Sequence, residues 1–356
     1  MPYCSKCGFE VDEDAKFCPL CGTPTQPPVV EPEKRDARRP LNRLSIIAII
    51  LIVVTVVAAI IVVFAFMPVR PVDVKRQHSV PQQIGVDKLN LAFIADVAHV
   101  RLVFEDLTDE WQSPAIILSA SATAKVGVFV PTNVLDQFFH ANDTTVDNVL
   151  TVTSQIDVPD RSWPGYSSLN VTCDIRIDLS MNTTVNVKTS VGKIVMDAQA
   201  GVILSGLSLE ATTGGVEADL KQDAVITGDI SIEATTGGIQ LSWDNVDVTK
   251  HTMLNVATTT GGIELDVEQD EELLDNVTIS VEATTGGIDF TLDIRGDIGA
   301  KVASSTSLGA IDINRKVGFS GDESLLESDN YPAGSNFDVT LEATVGGIEI
   351  DLKHTP

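Results

Sequence analysis

A pattern of strand, glycine turn and strand recurs through the second half of the chain. Residues 207–220 read LSLEATTGGVEADL, 230–243 ISIEATTGGIQLSW and 254–267 LNVATTTGGIELDV. Residues 279–292 read ISVEATTGGIDFTL and 339–352 VTLEATVGGIEIDL, with weaker copies at 185–198 and 302–315. The leading glycines are Gly192, Gly214, Gly237, Gly261, Gly286, Gly309 and Gly346, spaced 22 to 25 residues apart with a last interval of 37. A near-constant period in the twenties marks stacked supersecondary units that bury their apolar faces on one another.

Within a copy the apolar residues alternate, which is the period of a strand and not of a helix. Leu207, Leu209 and Ala211 share one face before the turn, as do Val216, Ala218 and Leu220 after it. Gly214-Gly215 could close an ordinary two-residue antiparallel hairpin. The constant repeat length favours coils stacked in parallel, each strand pairing with its equivalent in the next coil. A narrow core of Val, Ile, Leu and Ala also fits a chain with only 5% aromatic residues.

Stacking predicts ladders of equivalent outward residues about 4.8 Å apart. In sequence order one would be Glu217, Gln240, Glu264, Asp289, Asp312 and Glu349. The other would be Glu210, Glu233, Ala257, Glu282, Ser305 and Glu342. Aligned carboxylates repel, so water, salt or divalent cations must offset them. A solvated acidic surface is the plain reading. Ca2+ on the ladders is the weaker one, because the looped ligand set of calcium motifs is missing.

The glycine-turn repeat resembles the bacterial and archaeal adhesin ectodomains of β-solenoid, or toastrack, type. The resemblance covers at least residues 185–352, with a fainter start at Leu89–Phe104 where Asp96 replaces the turn glycine. It implies a mainly β ectodomain and brings no catalytic residues with it. Residues 105–184 fit the repeat poorly and are expected to hold looped rungs around Trp111 and Trp163-Pro164-Gly165-Tyr166.

Charge divides the chain. It carries 50 acidic and 24 basic side chains, a net −26, and the imbalance lies wholly beyond residue 67. Such a balance argues against a nucleic-acid partner, whose footprint should be basic. The 44% hydrophobic content argues against disorder.

Leu44 to Met67 is an uncharged apolar run, long enough at about 1.5 Å per residue to predict one transmembrane α-helix. It begins too late for a cleaved signal peptide. Lys34, Arg35, Arg38, Arg39 and Arg43 before it outnumber Arg70, Lys75 and Arg76 after it, which predicts a cytoplasmic N-terminus. The expected location is therefore the cell membrane, single-pass, with the C-terminal domain outside. The proline-rich, basic residues 23–43 read as a stiff linker resting on anionic lipid.

Cys4-Ser-Lys-Cys7-Gly8 and Cys18-Pro-Leu-Cys21-Gly22 are two Cys-x-x-Cys-Gly units. Each bend presents two sulfurs, and the pair resembles the zinc ribbon of two facing knuckles. Cys4, Cys7, Cys18 and Cys21 are the expected ligands of a structural Zn2+, since four thiolates leave no coordination position for water. Glu10, Asp12, Glu13 and Asp14 against Lys6 and Lys16 favour a protein contact over nucleic acid.

His78, His99, His140, His251 and His354 do not cluster in sequence, and no nucleophile elbow or phosphate loop occurs. Asn142, Asn170, Asn182 and Asn276 begin glycosylation acceptors. Cys173 reads as a small buried core residue. The predicted organisation is a zinc ribbon at 1–22, linker at 23–43, transmembrane helix at 44–67 and juxtamembrane linker at 68–84. Irregular β structure at 85–184 and glycine-turn repeats at 185–353 follow. The expected function is a non-enzymatic membrane scaffold whose ectodomain holds an extracellular protein or glycan. A transmembrane regulator signalling through the ribbon to a cytoplasmic protein is the alternative, and a carbohydrate-active enzyme the weaker one.

Overall fold

The computed structural model describes residues 3–24, 43–65, 69–127, 137–158 and 166–356. The linker over 25–42 and Trp163-Pro164-Gly165 lie outside the described residues. The chain divides into two units, Met1–Phe66 and Met67–Pro356.

In the first unit the apolar run forms helix Arg43–Ala65. The described side chains within it span 47–59, all exposed. Among the described residues no helix is long and apolar enough to cross a membrane. The expected transmembrane helix at 44–67 is corrected on this point. The single-pass location, with its cytoplasmic N-terminus and outer C-terminal domain, is corrected with it.

In the second unit each repeat is one rung. Among the described residues, its strand before the glycine joins an upstream sheet of 14 strands, and its strand after the glycine joins a downstream sheet of 11. The pairing between rungs is parallel and equivalent. Leu207 pairs with Ile230 and Glu210 with Glu233, while Val216 pairs with Ile239 and Glu217 with Gln240. The stacked coil is therefore correct and the antiparallel hairpin is not. Leu209, Ile232, Val256, Val281 and Leu341 form one buried column facing inward from the upstream sheet.

The order of rungs departs from the order of the sequence. Ser335–Val345 lies between Val277–Thr285 and Ile298–Leu308, pairing in parallel with both. The Gly346 rung thus inserts between the Gly286 and Gly309 rungs. The ladders read Glu217–Gln240–Glu264–Asp289–Glu349–Asp312 and Glu210–Glu233–Ala257–Glu282–Glu342–Ser305. The long last interval supplies the return, including the antiparallel pair Phe319–Asp322 and Leu325–Ser328 that covers the end of the upstream sheet.

The fainter copy forms a rung, but the stack does not begin there: Val149–Ile156 lies parallel to Lys88–Val97 and Tyr166–Asp178 parallel to His99–Glu105, one rung further out. The corner residue of the fainter copy also differs from the expected one. Lys88–Val97 pairs with Asn182–Val191 and His99–Glu105 with Ile194–Ala198, so Ala98 takes the turn position and not Asp96. Residues 69–81, expected as linker, form a strand antiparallel to Pro114–Gly127. That strand is in turn antiparallel to Tyr166–Asp178. The unit thus starts in the meander that closes one end of the downstream sheet. At the other end lies Ile311–Val317, whose register shift between Ile313 and Arg315 and charged Arg315 and Lys316 disfavour edge pairing. Trp111 is 85% exposed in a loop, and Cys173 is fully buried in the core, as expected.

Candidate functional site

The two cysteine units fold into matching bends. Tyr3 bridges Glu10 around the first, and Phe17 bridges Pro24 around the second. In each, the glycine N–H donates to the carbonyl of the first cysteine at 2.8 Å, Gly8 to Cys4 and Gly22 to Cys18. Gly8 and Gly22 hold φ of 72° and 69°, the left-handed region that a side chain resists. Val11 is buried with Cys4 and Cys18, so the apolar core of this unit is very small.

The bends bring together all four sulfurs predicted as ligands. Cys4 Sγ lies 3.6 Å from Cys21 Sγ, and Cys7 Sγ lies 3.5 Å from Cys18 Sγ. All four Sγ atoms fall within 4.8 Å of one another. A tetrahedron with Zn–S bonds of about 2.3 Å has edges of about 3.8 Å, so the cluster fits that ion. The thiols are also unequal. The Thr23 hydroxyl and backbone N–H pull Cys21 down to about 6. Cys7 receives a lowering bond from the Phe9 backbone, but the neighbouring sulfurs and lost hydration push it up to about 12. Sulfurs so close share protons, and a divalent cation would take the place of those protons. Among the described residues no other group of His, Cys, Asp or Glu has the geometry to hold a metal. The acidic ladders, expected as a possible Ca2+ surface, therefore gain no support.

The downstream sheet carries more acid outward than the single predicted row. Beside Glu217, Glu264, Asp289, Glu349 and Asp312 runs a second row with Asp197, Asp219, Asp266 and Asp351. Sequence reasoning missed this row, though the alternation two residues after each first-row acid could have revealed it. Partial loss of hydration on an otherwise exposed side chain holds Asp289 above the usual carboxylate range, and Glu349, Asp351 and Asp266 add to the effect. Asp219 is raised likewise by burial and by Glu217, with Lys221 acting the other way. Counter-charges come from Lys193 paired with Glu217, Lys221 with Asp197 at 2.5 Å and Lys353 with Asp293 at 2.5 Å.

Along the corner of this sheet runs an open trough of about 620 Å³. Its floor is backbone at Gly238, Gly262, Gly287 and Gly347, and its rim carries Glu264 and Asp289. The leading glycines beneath are sterically fixed. At Gly261, φ is 150° and a Cβ would meet the Gly237 carbonyl oxygen at 2.0 Å. Of the second glycines only Gly215 is crowded, where a Cβ would meet the Gly238 carbonyl oxygen at 2.9 Å. A Cβ at Gly262 would find only the Gly287 carbonyl at 3.6 Å, and one at Gly287 only the Gly347 carbonyl at 3.5 Å.

Two of the four acceptor asparagines are engaged in the fold. Asn276 Oδ1 accepts the Asn336 backbone N–H at 2.9 Å, and Asn182 Oδ1 accepts the Ser205 hydroxyl. Asn142 and Asn170 are exposed. His78 faces Asp143 at 3.1 Å, whereas His354 is buried against the Gly296 carbonyl at 3.1 Å.

Comparison with known proteins divides along the same line. No curated protein matches the chain in sequence. Among solved structures, a candidate cell adhesion protein from Clostridium sporogenes is similar at 14% identity and TM-score 0.33, over 80% of this chain and 100% of that one. A candidate adhesin from Bacteroides fragilis is similar at 10% identity and TM-score 0.28, over 78% and 96%. One from Parabacteroides merdae is similar at 11% identity and TM-score 0.25, over 79% and 97%. Residues 3–25 match the zinc-ribbon domain. The N-terminus of this chain is a zinc ribbon.

Proposed function

We propose that the chain is a non-enzymatic binding module: the zinc ribbon is a structural element, and the downstream sheet holds a macromolecular partner. In the ribbon, Cys4, Cys7, Cys18 and Cys21 ligate one Zn2+. Four thiolates complete a tetrahedral shell, so the ion orders the fold and offers no place for a reacting water. With so small a core, metal binding provides most of the folding free energy of this segment. Its acidic residues between the knuckles suit a protein contact.

The trough carries the binding reading. It is open along its length, repeats from rung to rung, and is floored by backbone, which suits a long partner held by many equal contacts. An active site needs instead one unequal constellation of acid, base or nucleophile.

Immobilised full-length protein should be offered a panel of acidic, neutral and basic polypeptides and linear glycans. At least one class should be retained, and Glu264→Lys with Asp289→Lys should change that retention at least tenfold. Glu233→Lys with Glu282→Lys, on the upstream sheet, should leave it within about twofold. Retention of nothing, or turnover of a glycan abolished by one acidic substitution, would contradict the reading.

A further inference from the structure

The trough pairs an unfilled floor with a charged rim. In the order of the stack, the residue after the corner is Lys193, then Gly215, Gly238, Gly262, Gly287 and Gly347, then Ala310. Five adjacent rungs therefore lack a side chain there, between two rungs that have one. At Gly238, Gly262, Gly287 and Gly347 the fold does not demand this. A Cβ would make only ordinary contacts of 3.4 to 3.6 Å, and none of the four has a left-handed φ. Each sits in the two-residue corner between strands, where a glycine that its φ does not require still costs chain entropy that a side chain would spare. What it preserves here is empty space along the trough.

The rim sets the chemistry of the occupant. Glu217, Glu264, Asp289 and Glu349 line the trough, and the one cation lining it among the described residues, Lys193, is paired with Glu217. The charges acting on Asp289 are all carboxylates. Among the described residues no aromatic ring lines the trough, so the flat face on which a sugar ring would pack is missing. From Gly238 to Gly347 the floor spans about 14 Å at ~4.8 Å per rung, the length of about four residues of extended chain at ~3.3 Å each.

Building on the binding face proposed above, we propose that this trough takes an extended, lysine- or arginine-bearing polypeptide segment. Its backbone lies along the glycine floor and its cations reach the carboxylates of the rim. The bare floor lets the segment approach; the rim selects its charge and makes the association sensitive to salt.

The probe is a fluorescein-labelled twelve-residue peptide of alternating Lys and Ser, titrated against the full chain by anisotropy. An all-Ser peptide and an alternating Glu/Ser peptide serve as controls. Binding should be confined to the lysine peptide and weaken at least tenfold from 50 to 300 mM salt. Gly262→Val with Gly287→Val should weaken it at least tenfold with no change in charge. Glu264→Gln with Asp289→Asn should do the same, and Glu233→Gln with Glu282→Gln should stay within about twofold. Circular dichroism and melting confirm that each variant is folded. Should the valine variant melt early, Gly262→Ser with Gly287→Ser replaces it. Folded floor variants that bind as well as the parent would overturn the proposal, as would equal losses on the two sheets, which mark charge alone. If a glycan or neutral polymer is retained instead and the floor variants release it, the occupant is wrong and the binding face stands. If downstream variants alter the retention of no polymer, both readings fail.

Discussion

Gly346 stacks directly on Gly286: a Cβ on Gly346 would lie 1.9 Å from the Gly286 carbonyl oxygen. The Gly286 N–H donates to the Val345 carbonyl at 2.9 Å, and the Gly346 N–H to the Leu308 carbonyl at 2.8 Å. The last repeat is thereby locked between two earlier ones, and the glycine corner continues through it without a break.

This close approach separates the two glycines of each pair. Gly286→Ala puts a methyl group 1.8 Å from the Gly261 carbonyl oxygen at a φ of 145°. It should cost about 2–4 kcal/mol. Gly287→Ala meets only a carbonyl at 3.5 Å and should shift stability by less than about 1 kcal/mol. Urea denaturation of both variants followed by circular dichroism checks the contrast, and equal effects would refute it.

Gln269 is buried and serves two donors at once. Its Oε1 accepts from Trp243 Nε1 at 3.1 Å and from the Val246 N–H at 3.2 Å, while its Nε2 donates to the Glu271 carbonyl at 2.9 Å. Gln269→Leu removes the acceptor and leaves both donors buried. A loss of about 1–3 kcal/mol for each is expected. The equilibrium midpoint measures it, with Trp243 fluorescence reporting the local change.

The raised carboxyls give stability a direction with pH. Asp289 and Asp219 hold their protons more tightly in the folded chain than in the unfolded one. Folding therefore takes up protons, and their contribution to stability falls as pH rises from about 3.8 through the raised value. Asp289→Asn should lift the melting midpoint at pH 7 by on the order of 1 °C, since the side chain is exposed and screened. The gain should vanish below pH 4. A variant less stable than the parent at pH 7 would reverse the sign of this account.

Metal removal should act on one unit alone. The full chain should bind one Zn2+ by elemental analysis, and Cys4→Ser with Cys21→Ser should abolish it. A chelator should release the ion and unfold residues 3–24 with no change in the β-sheet circular dichroism. Zinc retained after all four cysteines are replaced would place the ion elsewhere.

The rung itself was legible because each side of the corner alternates strictly, so Val216, Ala218 and Leu220 could point nowhere but inward. The order of rungs was not. Every rung offers the same apolar edge, so the pattern around Gly286 fits Gly309 and Gly346 equally well, and the return through 319–328 decides between them. Ala98 was missed because a corner without glycine has no signature. The four cysteines were legible from two Cys-x-x-Cys-Gly units, and their facing arrangement from the resemblance of the pair to a zinc ribbon. The trough was invisible for another reason. TTGG shows two glycines, and only geometry separates the one that the turn requires from the one that it does not.

The most direct measurement is zero-length carbodiimide cross-linking of the lysine peptide to the full chain, with the linked carboxylates mapped by mass spectrometry. The trough predicts amide links at Glu264, Asp289 and Glu349, lost when Gly262 and Gly287 become valine. Links spread evenly over these and over Glu233, Glu282 and Glu342 of the other sheet would contradict it.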